Sequence, residues 1–98
     1  SAATNFVAWR TYIAMLRGIN VSGQKLIAME DLRKLFVGLG FGDVRTYVQS
    51  GNVIYSSDVK KCEEQAASIA AAIRRKFRFD VPVIIRTASE LKKVAAKN

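Results

Sequence analysis

Val44-Arg45-Thr46-Tyr47-Val48-Gln49-Ser50-Gly51-Asn52-Val53-Ile54-Tyr55-Ser56-Ser57 reads as two β-strands and the bend between them, and the rest of the fold arranges itself around that hairpin. Val44, Thr46 and Val48 alternate with Arg45, Tyr47 and Gln49, a period of two that sends one row to each face of a strand. Asn52 to Ser57 continues as a second run rich in β-branched and aromatic side chains. Ser50-Gly51 between the runs predicts a hairpin turn of the short type.

Upstream, Thr11 to Arg17 is apolar enough to form a central strand with both faces at least partly covered. Met29, Leu32, Phe36 and Leu39 recur at spacings of three and four, which places them on one face of a helix. Glu30 and Asp31 fall in its first turn, where the positive end of the helix dipole favours them, and Gly40 closes it. Downstream, a second helix is predicted from Val59 to Phe77. Its buried stripe is Cys62, Ala66, Ile69, Ile73 and Phe77, and Ser57 or Asp58 is its expected N-cap. Val81 to Arg86 is a fourth strand, and Pro82, which lacks an amide donor, sends it to a sheet edge. Thr87-Ala88-Ser89-Glu90 is a capping-box pattern that opens a further helix.

The order strand, helix, strand, strand, helix, strand leaves few topologies once right-handed crossovers are required. It predicts an α+β, ferredoxin-like split βαβ sandwich: a four-stranded antiparallel sheet of order 4-1-3-2 with two helices on one face. The division expected is an N-terminal extension at 1–9, the ferredoxin-like domain at 10–87, and the start of another helix at 88–98.

Bulk composition narrows the function classes. The chain has 98 residues, half of them apolar and only one proline, enough for one folded domain with a modest core. No apolar run approaches the roughly 20 residues that cross a bilayer, and Ser1 to Trp9 lacks the charged start and apolar stretch of a signal peptide. With one cysteine, Cys62, no internal disulfide can form, and a cytoplasmic location is expected. Without histidine, His-dependent triads and zinc hydrolysis are excluded within this chain, and neither a metal nor a cofactor is expected. No nucleophile and base form a recognisable pair, so the sequence does not decide whether the protein is an enzyme.

In the predicted topology the first and third strands are antiparallel neighbours, so the loop after the first lies beside the hairpin before the third. Arg17 to Gly23 and Gln49 to Asn52 therefore converge at one sheet edge, where the first helix also begins. Gly18, Gly23 and Gly51 let backbone turn tightly or approach a ligand. Arg17 and Lys25 add charge, and Asn20, Gln49, Ser50 and Asn52 add hydrogen-bonding groups. That set suits a small anion such as a phosphate or carboxylate. The same residues also serve plain turn chemistry, with Arg17 paired to Asp43 or Asp80.

Two other readings compete. A net charge of +8, with a dense patch at Arg74, Arg75, Lys76 and Arg78, attracts polyanions, and Arg45, Tyr47 and Gln49, with Tyr12 as a further candidate, are read as lining a nucleic-acid face. The aromatic RNP pattern is absent, however, and the patch sits where cations complement a helix C-terminus, so nucleic acid is not the favoured partner. The third reading is an interaction module whose open sheet face packs on a second copy or on further chain. Cys62, on an apolar stripe, reads as a buried filler rather than a reactive thiol.

Tyr12-Ile13-Ala14-Met15-Leu16-Arg17-Gly18-Ile19-Asn20-Val21, Met29 to Leu32, Val44 to Val53 and Val81 to Arg86 resemble a widespread bacterial domain-of-unknown-function family marked by LRGIN and QSGN motifs. The resemblance runs from Arg10 to Lys97 and departs from the family's usual pattern at Ser22, where glycine is common, and Ala28, where proline often opens the helix. It implies a ferredoxin-like half followed by a second α/β half in a chain about twice as long, and carries no established activity. A face left bare here would then be covered by that second half.

Overall fold

The computed structural model describes residues 9–47, 51–59 and 61–89. Its elements run β1 (Arg10–Leu16), α1 (Met29–Gly38), β2 (Gly42–Tyr47), β3 (Asn52–Ser57), α2 (Cys62–Phe77) and β4 (Val83–Thr87). The strands form one four-stranded antiparallel sheet of order β2-β3-β1-β4, the predicted order read from the other side. Pro82 immediately precedes the outer strand β4, where a missing amide donor breaks no ladder. Ala88 and Ser89 begin a helical turn, and the rest of the expected third helix lies outside the described residues.

One core joins both helices to one sheet face. Tyr12, Ala14 and Leu16 of β1, and Val53 and Tyr55 of β3, pack with Leu32 and Phe36 of α1 and Ile69 and Ile73 of α2. The predicted α2 stripe is correct, with Cys62, Ala66 and Phe77 packed half-buried against its rim. Tyr55 is the hub: its ring lies 5.8 Å from that of Tyr12, 5.3 Å from Phe36 and 4.6 Å from Phe41. Such pairs add directional attraction to the burial itself, which contributes about 1.5–3 kcal/mol for each large side chain removed from water.

Tyrosine is tolerated in this core because each hydroxyl finds an acceptor. Tyr55 donates to Gln65 Oε1 at 2.5 Å, Gln65 Nε2 donates to the Val59 carbonyl at 2.6 Å, and Tyr12 donates to the same carbonyl at 3.1 Å. Gln65 is thus a polar residue on the buried side of α2, 1% exposed, and closes a network that fixes the start of that helix against the sheet. Burial pushes the Tyr55 hydroxyl well above the usual tyrosine range.

Four expectations are corrected. Tyr12 belongs to the core face, 1% exposed, not to the open face with Arg45 and Tyr47. Helix α2 starts at Cys62 rather than Val59, with Lys61 as N-cap and no side-chain cap. The Ser57 hydroxyl instead accepts the Val59 amide at 3.0 Å at the end of β3. β2 starts earlier, at Gly42, because Asp43 takes a left-handed conformation (φ 48°) that makes a bulge between Gly42 and Arg45. Tyr47 pairs with Asn52, so residues 48–51 connect the strands, whereas a two-residue turn at Ser50-Gly51 requires Gln49 opposite Asn52.

Candidate functional site

Gly51 ties the start of β3 to the end of β1. The Leu16 amide donates to the Gly51 carbonyl at 2.9 Å, which extends the β1–β3 pairing one step past Asn52. Gly51 has φ +65°, and a Cβ there would lie 2.6 Å from the Leu16 carbonyl oxygen. Only glycine fits. The start of β3 is therefore locked at the backbone to the end of β1, with Gly51 against Leu16 and Ile19. Gln49 and Ser50 lie outside the described residues.

The loop from Arg17 to Ala28 carries an unusual backbone. Gly18, Asn20, Ser22, Gly23 and Lys25 all have positive φ, between 49° and 76°. Alternation of left-handed with ordinary residues is the pattern from which anion-binding concavities of N–H groups are built. Three of the five are not glycine, and such residues are held in that region only where surrounding contacts enforce it. The enforcement is visible. The Asn20 amide donates to the Lys25 carbonyl at 3.1 Å, and Gln24 donates to Val21 at 3.0 Å. The Asn20 side chain grips Ile27 at both ends, accepting its amide at 2.8 Å and donating to its carbonyl at 3.1 Å. Ile19 and Ile27 anchor the loop in the core. Asn20 thus shapes the loop, while Arg17, Gly18 and Gly23 are exposed on it.

A third segment, which the sequence reading touched only through Asp80 as a partner for Arg17, completes this end of the molecule. The Arg17 amide donates to the Pro82 carbonyl at 3.1 Å, and Lys25 Nζ donates to the Asp80 carbonyl at 2.9 Å. The α2–β4 turn therefore flanks the loop on the side opposite the hairpin. Neither expected partner of Arg17 pairs with it: Asp80 binds Arg74 at 2.6 Å, and Asp43 lies 3.6 Å from Arg45. The Asp80 carboxylate raises the Arg74 guanidinium pKa above its usual value. At the start of α1, Arg33 grips Glu30 at 2.6 Å and holds its carboxyl below the usual range.

The opposite sheet face carries Arg45 and Tyr47 in β2, both exposed. By register its inner strands present Thr11, Ile13 and Met15 from β1 and Asn52, Ile54 and Ser56 from β3, with Ile84 and Arg86 from β4. Bases stack on aromatic rings of the central strands in ferredoxin-like RNA binders. Here those positions are aliphatic or polar, and Tyr47 lies on an outer strand. Among the described residues, no group of three or more metal-ligating side chains comes together, and no helix is long and apolar enough to cross a membrane.

An antiparallel α+β sandwich of the ferredoxin-like kind, with a braced polar loop at one end of its sheet, is the class these observations define. The match of a family model described as a protein of unknown function, DUF1697, over residues 9–98 makes the assignment specific: the chain belongs to that family. Among solved structures, a conserved bacterial protein from Streptococcus pneumoniae is similar, with a TM-score of 0.75 at 23% identity. The likeness covers 88% of this chain and 47% of that one, so this chain spans about half the length of the structural relative, and what they share is the fold. A comparison with curated protein sequences gives no match.

Proposed function

We propose that this domain binds a small anion, a phosphate or carboxylate, at the edge where the Arg17–Gly23 loop meets the Gly51–Asn52 side of the hairpin. Arg17 supplies charge, and Gly18 and Gly23 bring the backbone close. Asn52 orients the ligand with Gln49 and Ser50, and Asn20 keeps the loop in shape. The observation that supports this reading is the backbone bond from the Leu16 amide to the Gly51 carbonyl, which ties the end of β1 to the start of β3. Titration with inorganic phosphate, followed through backbone amide shifts, tests it. Residues 17–23 and 51–52 are expected to shift together, and Arg17→Ala to weaken the response. Unchanged binding in both Arg17→Ala and Asn52→Ala refutes the site. A cytoplasmic setting belongs to the same reading and is supported by the lone cysteine.

The open sheet face supports a second reading, in which Ile13, Met15, Ile54 and Ile84 pack against further protein. The half-buried aliphatic row favours it, as does the twofold length of the structural relative. A longer family chain in which these four side chains stay as solvent-accessible as in the 98-residue chain counts against it.

A further inference from the structure

The three segments at the loop end of the sheet carry very unequal charge. Arg17 and Lys25 of the loop, and Arg74, Arg75, Lys76 and Arg78 of the α2 terminus, are all exposed. At the start of α1, Glu30 is already held by Arg33. The C-terminal dipole of α2 offsets only about half a charge. Among the described residues, Asp80 is the carboxylate that meets these cations, bonded to Arg74 through its side chain and to Lys25 through its carbonyl. Asp80 lies two residues from Pro82, whose carbonyl holds the Arg17 amide, so its Cα is within about 8 Å of that anchor.

This sets an exposed carboxylate against two of those cations, where an incoming anion would compete with it. Asp80 is about three-quarters exposed and Arg74 two-thirds, so water already competes for the pair and an anion can replace the carboxylate. The left-handed Arg78 (φ 70°), whose amide bonds the Arg74 carbonyl at 3.0 Å, turns the chain back so that Asp80 meets Arg74. Among the described residues, the cation contact to the loop comes from the α2–β4 side, where Lys25 meets the Asp80 carbonyl. Lys25 and Arg74 both bond Asp80, and the Arg17 amide bonds the Pro82 carbonyl two residues on, so a linear chain of phosphates laid along 80–82 would reach from one group to the other, which a single phosphate would not.

We infer that the site takes a linear oligophosphate, one end at Arg17 and the other at Lys25 and Arg74, with Asp80 as a built-in competitor that the ligand displaces. This rests on the anion-binding reading above and extends it to a ligand class and a restraint on affinity.

Calorimetric titration of the full chain at low salt, with tripolyphosphate and inorganic phosphate as probes, tests the inference. Tripolyphosphate is expected to bind more tightly than phosphate, and Lys25→Ala or Arg74→Gln to erase the difference. Asp80→Asn is expected to tighten tripolyphosphate binding about fivefold, the effect of one nearby exposed charge. Glu63→Gln, the same charge change at the far end of α2, is expected to alter it less than about twofold because salt screens distant charges. Equal effects of Asp80→Asn and Glu63→Gln overturn the competitor. Equal affinities for phosphate and tripolyphosphate overturn the oligophosphate while leaving the anion site of Arg17 standing. No binding of either probe refutes both. ATP as a third probe separates the sources: tighter binding than tripolyphosphate assigns a nucleotide, and equal or weaker binding an inorganic chain.

Discussion

Replacing Gly51 by alanine tests whether the backbone lock holds the loop end together. Two costs add. Its φ of +65° is a left-handed conformation that costs an L-residue about 1–2 kcal/mol. The new Cβ would also lie 2.6 Å from the Leu16 carbonyl oxygen, a backbone atom that cannot rotate away. Relief requires separating the strands locally, which sacrifices the 2.9 Å bond from the Leu16 amide, a further loss of about 0.5–1.5 kcal/mol. Against these, alanine makes the unfolded chain less mobile and returns about 0.4–1 kcal/mol. The sum is a destabilisation of about 2 kcal/mol, or roughly 8–16 °C in thermal midpoint for a domain of this size. Gly23 is the control. It has φ +73° but nothing within 4 Å of an added Cβ, so Gly23→Ala is expected to cost only about 1 kcal/mol. Urea and thermal unfolding followed by circular dichroism read both. Equal losses in the two variants would refute the argument, because only the close approach to Leu16 separates them.

Other perturbations follow from the same contacts. Tyr55→Phe leaves the buried Gln65 Oε1 without its donor and is expected to cost about 1–3 kcal/mol by urea unfolding, part of which Tyr55→Phe/Gln65→Leu regains. Asn20→Ala removes both bonds to Ile27 and is expected to cost about 1–3 kcal/mol, with faster hydrogen exchange at the Ile27 amide as the local sign. Alkaline pH acts through Tyr55, whose burial raises its folded pKa. The unfolded tyrosine ionises from about pH 10 while the folded one keeps its proton, so stability falls as pH rises above that value. Thermal midpoints between pH 8 and pH 11 measure the fall, and Tyr55→Phe is expected to flatten it.

The sequence shows the elements because their periodicities are clear, and it shows that the end of β1 meets the start of β3 because antiparallel topology dictates it. It hides which face of β1 is inward, since Tyr12, Ala14 and Leu16 alternate with Ile13 and Met15 and both rows are apolar. Tyr12 was placed on the wrong face for that reason. Gln65 was invisible as a core residue because its partner, Tyr55, lies on another element, and a glutamine in a helix ordinarily faces water. Ser57 looked like a cap, but its hydroxyl serves the turn before α2. The end of α2 at Phe77 is legible, but its left-handed C-cap is not, because glycine usually signals one and arginine occupies it here.

The bulge at Asp43 bears on how these molecules coexist at high concentration. An outer strand with a straight row of unpaired amides invites a strand from a neighbouring molecule. β2 is kinked at Asp43 and presents the charged pair Asp43 and Arg45, and β4 is preceded by a proline on the other rim. Both rims of the sheet are thereby poor templates for intermolecular ladders, which protects a small β-containing fold from fibrillar aggregation.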